Sequence, residues 1–308
     1  MNKIGVIGAG AVGSQLAFLL SLSGVCDEVA LVDIKEGLAE GKALDMSQAA
    51  PVTGSRCRVS GSDDFSLIEG SDITVMTAGA ARRPGMSRED LLKTNLGVVR
   101  EVSALVKKYA PGTLLIMVTN PLDIMAFAAY VFTGFEPSRV MGMSGVLDTS
   151  RYRSFLAAEA GVAPPDTRAM ILGPHGDSMV ILPEADLGGE SADTLIETEV
   201  LEGVKTRARS GGKEIVELLR DSSAFFAPAA SAACMVKAIA GDSGEVLPCS
   251  VYAAGVLDLP EVFIGLPARL GREGIREVVT PDLAPAELKA LKDSAADLEK
   301  KITSLELK

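Results

Sequence analysis

A chain whose first apolar run leads at once into Gly8-Ala9-Gly10-Ala11-Val12-Gly13 has few folds open to it. Lys3 to Ile7 predicts a strand, the glycines open a helical pattern, and Glu28 to Val32 predicts a second strand. About 30 residues therefore form a β-α-β crossover, and its two strands lie parallel. Gly8 suits the tight turn, Gly10 lets the backbone approach a pyrophosphate, and Gly13 lets the helix sit close on the strand. The amino end of that helix offers free N–H groups to phosphate charge. A glycine triplet alone is a weak signal. This one has a strand before it, a helix after it, and Asp33 twenty residues beyond Gly13 at the end of the second strand. A carboxylate there accepts both ribose hydroxyls and repels a 2′-phosphate, which points to NAD rather than NADP. The plainer alternative is that Asp33 caps the following helix.

Apolar runs at Asp72–Thr77, Thr113–Val118 and Val140–Met143 alternate with helical patterns at Leu91–Tyr109 and Leu122–Phe132. That alternation predicts an α/β fold, a Rossmann doubly wound parallel sheet, over residues 1–144. Beyond about residue 145 the rhythm changes. A helix at Asp148–Ala160, β-like runs at Arg168–Leu172, Met179–Leu182, Leu247–Ala253 and Glu261–Leu266, and a helical tail from Glu287 to Leu307 predict a smaller α+β catalytic and substrate domain over 145–308. In the tail, Leu288, Leu291, Ala295, Leu298, Ile302 and Leu305 form one apolar stripe, which packs on its own domain or on a second subunit.

Charge and cysteine usage narrow the function. Thirty basic against forty-one acidic residues leave a net charge of −11, which repels nucleic acid and anionic lipid. The uncharged run between Asp221 and Lys237 spans 15 residues and carries Pro228, short of the roughly 20 a membrane helix needs, and reads as a buried helix. The first strand begins by Ile4, so no signal peptide is expected and the location expected is cytoplasmic. Cys26, Cys57, Cys234 and Cys249 show no paired spacing and read as reduced packing residues. No zinc motif is present, and no metal is expected.

The chain has one histidine, His175, so any imidazole proton relay must use it. On the helix beginning near residue 148, Asp148 and Arg151 share a face. A buried Asp beside His175 would fix its tautomer and favour the imidazolium, and Arg151 can hold a carboxylate by two parallel hydrogen bonds. Such a pair on its own is more often a solvated salt bridge. Arg82, Arg83 and Arg88 follow a strand end in a loop with two glycines, at the sheet edge where ligands bind. That loop reads as an anion-clamping lid or, more plainly, as an exposed basic loop. Val118-Thr119-Asn120-Pro121 ends another strand at the same edge, where the Asn120 amide can meet cofactor or substrate or cap the next helix.

Together these residues resemble the malate and lactate dehydrogenase family, most closely its lactate-dehydrogenase-like bacterial malate dehydrogenases, from Ile4 to about residue 280. The resemblance implies NAD as cofactor, with Gly8, Gly10, Gly13, Asp33, Asn95, Thr119 and Asn120 around it. It implies His175 as proton donor and acceptor, Asp148 as its partner, Arg151 on the substrate's C1 carboxylate, and Arg88 polarising the carbonyl from the lid. Arg82 falls where malate enzymes carry Arg and lactate enzymes Gln, so its cation would meet the second carboxylate of oxaloacetate. A small dicarboxylic acid substrate and a homodimer or homotetramer are expected. Pro174 departs from the Glu or Gly usual before this His-Gly-Asp motif.

Overall fold

The computed structural model describes residues 1–80 and 87–307. The cofactor-side half alternates β1 (Lys3–Ile7), α1 (Ala11–Ser23), β2 (Glu28–Val32), α2 (Leu38–Thr53), β3 (Arg58–Ser62), β4 (Ile73–Met76), α3 (Arg88–Tyr109), β5 (Leu114–Met117), α4 (Leu122–Thr133) and β6 (Val140–Gly142). These strands pair in parallel in the order β3-β2-β1-β4-β5-β6. The order reverses between β1 and β4, which opens a crevice at the carboxyl ends where a doubly wound sheet takes its ligand.

The second half begins with α5 (Ser144–Ala160), followed by short strands β7 (Thr167–Arg168), β8 (Ile171–Leu172), β9 (Val180–Ile181), β10 (Asp186–Leu187) and β11 (Glu190–Ser191). Then come α6 (Ala192–Leu195), α7 (Thr198–Leu219), α8 (Phe226–Ala240), β12 (Val246–Tyr252), β13 (Phe263–Gly271), β14 (Gly274–Val278) and α9 (Pro285–Ser304). The last three strands extend the first sheet: β12 runs antiparallel to β6 at Ser250↔Gly142, and β13 and β14 continue outward, giving nine strands among the described residues. Gly142 permits that junction, since a Cβ on it would lie 2.8 Å from the Ser250 Cβ.

Burial falls into two clusters. The larger unites the parallel sheet with residues of α8, β12, β13 and α9, and the smaller lies among α5, α7 and the short strands, around Tyr152, Leu156, Leu201 and Val204. The apolar stripe of the tail is thus absorbed within the chain: Leu291, Ala295, Leu298 and Ile302 are buried.

Several expectations shift. Strand β3 and helix α2 were not anticipated: Arg58–Ser62 reads as polar because it is an edge strand in which only Val59 is buried, and α2 holds Pro51. The helix expected from Asp148 starts a turn earlier, at Ser144. The single run expected over Arg168–Leu172 splits into β7 and β8, which belong to different sheets. The uncharged run after Asp221 becomes helix only from Phe226, whose ring is exposed, although most of α8 is buried as expected.

Candidate active site

The glycine loop is built by steric necessity. Gly8 has φ +102°, and a Cβ on it would meet the Ala78 nitrogen at 2.7 Å. A Cβ on Gly13 would sit 1.8 Å from the Gly8 carbonyl oxygen and 2.7 Å from Thr77 Oγ1, so the first turn of α1 packs directly on its own loop. Gly10 differs: among the described residues nothing lies within 4 Å of the place its Cβ would occupy. The fold does not need a glycine there, whereas a pyrophosphate drawn onto the amino end of α1 does.

Asp33 closes the loop from β2. Its Oδ2 accepts from the Ala9 N–H at 2.7 Å and its Oδ1 from the Lys35 N–H at 3.0 Å. The cap of α2 is Gly37, so Asp33 is not a helix cap, and each oxygen keeps accepting capacity for a ribose hydroxyl. Lys42, which sequence reasoning missed, reaches from α2 to donate to the Ala9 carbonyl at 2.6 Å and to Ser14 Oγ at 2.7 Å. Together these groups form a cradle that suits a dinucleotide.

At the ends of β4 and β5, Asn95 and Thr119, expected near the cofactor, hydrogen-bond backbone groups of the crevice edge. Asn95 is buried; its Oδ1 accepts from the Ala80 N–H at 2.7 Å, and its Nδ2 donates to the carbonyls of Asn120 at 2.6 Å and Ala80 at 3.2 Å. Thr119 Oγ1 donates to the Ala78 carbonyl at 2.6 Å. Their side chains position the crevice edge, and its exposed member is Asn120. Pro121, not Asn120, takes the cap position of α4. Arg82 and Arg83 lie outside the described residues, as does the side chain of Arg88 at the start of α3.

The catalytic candidates do converge. His175 Nδ1 lies 2.8 Å from Asp148 Oδ2, and Arg151 Nη1 lies 3.4 Å from Asp148 Oδ1. Asp148 is 2% exposed at its side chain and Arg151 12%, so this is not the solvated pair that an Asp/Arg spacing of three usually makes. Among the described residues the Arg151 Nε is buried without a partner, leaving donor capacity for an incoming carboxylate.

Behind the histidine stands a second carboxylate absent from the sequence reading. Asp123, in the first turn of α4, accepts from the His175 backbone N–H at 2.8 Å and from Ser250 Oγ of β12 at 2.6 Å. It is buried, and burial pushes its carboxyl up to about 6 against both hydrogen bonds. The signal was available: Asp123 is the one charged residue in the otherwise apolar segment Leu122–Thr133. The loop is pinned at its start as well, where Gly173 and Gly265 of β13 exchange backbone hydrogen bonds at 2.8 and 3.0 Å.

Burial alone would lower the His175 pKa. The Asp148 charge and hydrogen bond, with the more distant Asp123 charge, outweigh burial and the repulsion of Arg151 and hold it above the usual imidazole value. An ionised Asp148 keeps the proton on Nδ1, which leaves Nε2 for a ligand.

Family models agree with this architecture. The lactate/malate dehydrogenase NAD binding domain matches residues 2–142, and the lactate/malate dehydrogenase alpha/beta C-terminal domain matches residues 145–307. The chain belongs to the lactate/malate dehydrogenase family. Among its relatives, a protein of Chlorobium phaeobacteroides named malate dehydrogenase is 45% identical over 305 residues, 99% of this chain and 98% of that one. One of the same name from Thermomicrobium roseum is 45% identical over 295 residues, 96% and 95% of the two chains. Of solved structures, the Cryptosporidium parvum malate dehydrogenase superposes with a TM-score of 0.95 at 37% identity, covering 99% of both chains. The lactate dehydrogenase of the same organism, solved with lactic acid and nicotinamide adenine dinucleotide, gives 0.94 at 35%, covering 99% of this chain and 98% of that one. Among the described residues no helix is long and apolar enough to cross a membrane.

Proposed function

We propose that this family member is an NAD-dependent malate dehydrogenase, interconverting (S)-malate and oxaloacetate. The observation that carries the reading is the His175–Asp148–Arg151 cluster, a partly exposed acid/base group and a carboxylate-binding cation meeting on one buried carboxylate. NAD, when bound on the glycine loop and Asp33, accepts or supplies the hydride at the C2 carbon of the acid. The chain's own work is on the proton and the charge. In oxaloacetate reduction, the His175 imidazolium gives its Nε2 proton to the oxygen that becomes the hydroxyl; in malate oxidation the neutral ring takes it back. Asp148 stabilises the imidazolium and aims it. Arg151 holds the C1 carboxylate, and Asn120 hydrogen-bonds at the crevice edge.

The choice of malate over lactate rests on Arg82, as read from the sequence, and on relatives named malate dehydrogenase at about this identity over the whole chain. The assay is NADH consumption with oxaloacetate against pyruvate, in wild type and Arg82→Gln. Faster reduction of oxaloacetate, and its loss by about a hundredfold in kcat/KM in the variant while pyruvate is spared, is expected because a buried carboxylate would lose its cation. Faster reduction of pyruvate by the wild type would make it a lactate-type enzyme.

The same reading takes residues 1–144 and 145–308 as cofactor and substrate domains, supported by family models that meet between 142 and 145. It gives the enzyme a cytoplasmic, tricarboxylic acid cycle role, supported by its acidic charge, and a homodimeric or homotetrameric state, supported by exposed Leu44 and Val52 on α2 and Leu218 on α7.

A further inference from the structure

Two of the four cysteines meet where sequence spacing gave no hint of it. Cys26 precedes β2 and Cys57 precedes β3, and their sulfurs are 3.8 Å apart across a separation of 31 residues. The strands run parallel with Glu28 opposite Arg58, and the Arg58 N–H donates to the Asp27 carbonyl at 2.9 Å, so Cys57 stands one residue out of register with Cys26. Both cysteines lie just before their strands, where side chains need not alternate between faces, and their sulfurs have to close from 3.8 Å to a bond of about 2.05 Å, a shift within reach of rotation about the two Cα–Cβ bonds.

The two thiols are not equivalent. Cys26 is buried at 7% exposure, while Cys57 is half-buried and open to small reagents. The two thiols share one hydrogen bond in which either can donate; it favours ionisation of Cys57 against burial and the charges of Asp27 and Glu28, and together with burial it holds the Cys26 thiol up. Of the nearby cations, Arg58 is engaged by Glu28. Cys57, whose Sγ also lies 3.6 Å from the Arg58 carbonyl oxygen, is the more exposed of the two and the one a peroxide reaches first, with Cys26 as the partner beside it.

We propose that Cys26 and Cys57 form an oxidisable dithiol, a site at which a hydroperoxide converts two thiols into a disulfide tying the amino ends of β2 and β3. Cys57 ionises and its thiolate attacks the peroxide, an S–O bond forms as the O–O bond breaks, and the alkoxide or hydroxide leaves, taking up the proton Cys57 released to become alcohol or water and giving a sulfenic acid. The Cys26 sulfur then attacks that sulfur, the S–S bond forms, and the hydroxyl leaves with the Cys26 proton as water. The two thiols lose two electrons and the O–O bond gains them. The pair stands at the opposite ends of the strands from Asp33 and the glycine loop, so it is a site separate from the crevice.

The test treats the purified full-length protein with a small excess of hydrogen peroxide and maps the products by mass spectrometry, with no reliance on the activity proposed above. Expected are a mass lower by about 2 Da, a linked peptide pair containing Cys26 and Cys57, and reversal by a dithiol reductant. Cys26→Ser should instead trap Cys57 as a sulfenic acid that a dimedone reagent labels. Closing a loop of this length should also raise the thermal midpoint of the oxidised protein by several degrees, about 5 °C. Oxidation of Cys57 to sulfinic acid in the wild type without the linked peptide, or both thiols surviving while Cys234 is consumed, would overturn the proposal.

Discussion

The two halves of the crevice are made in different ways. The cofactor half is one continuous stretch of backbone: β1, the glycine loop and α1 follow one another, and Asp33 arrives one strand later. The proton half is drawn from four separate segments: Asp148 and Arg151 on α5, His175 on the loop after β8, Asp123 on α4, and Ser250 of β12 behind it. The first is fixed by sterics that any neighbouring residue can break, and the second by a few hydrogen bonds between distant side chains. Substitutions in one half should therefore leave the function of the other intact, and the size of each effect should report which kind of construction it touches.

The largest effect is expected at Asp148. In Asp148→Asn the amide can donate toward Nδ1, which stabilises the wrong tautomer, so kcat should fall by about 10³-fold or more, with NADH affinity unchanged in a direct titration. A loss of NADH binding alongside kcat would mean the halves are not separable. Next is Gly13→Ala, whose Cβ meets a backbone oxygen at 1.8 Å. It should cost about a hundredfold in NADH affinity and lower the melting temperature, because backbone must move. Gly10→Ala sharpens the contrast within the same loop: with open space around it, the melting temperature should hold while NADH affinity drops about tenfold. An unchanged affinity would remove the pyrophosphate from that place.

The smallest and most diagnostic change is Asp123→Asn. The amide oxygen still accepts from the His175 N–H, but the charge that helps hold His175 above its ordinary value is gone. Oxaloacetate reduction needs the imidazolium, so its kcat/KM should decline as pH rises through the His175 pKa. In the variant that decline should begin at lower pH, with a loss of a few fold at high pH. A merely structural Asp123 would alter the melting temperature and leave the pH profile in place.

This contrast also explains what the sequence disclosed. The β1-α1-β2 unit and Asp33 were legible because turn, helix start and carboxylate sit at fixed offsets along one stretch of chain. His175 was legible because it has no competitor. The early start of α5 was not, because Ser144-Gly145 looks like a turn; the glycine is there for close packing, since a Cβ would lie 2.6 Å from the Ile171 carbonyl oxygen. Asp123 was passed over because an acid in a first helical turn has an ordinary electrostatic reason to be there. What made it unusual was Ser250 and the His175 N–H, 127 and 52 residues away along the chain. Asn95 and Thr119 were correctly drawn to the crevice edge, but which way an amide or hydroxyl is spent depends on carbonyls that only the folded chain brings near.

The central claim is that the only imidazole in the chain moves the substrate proton while an independent backbone loop holds the cofactor. His175→Gln, examined by NADH titration and by single-turnover reduction of oxaloacetate on the same preparation, tests both clauses together. Expected are an NADH dissociation constant within about threefold of wild type and a turnover rate lower by about 10²–10⁴-fold, since no second histidine can take over. Turnover near the wild-type rate would contradict the claim.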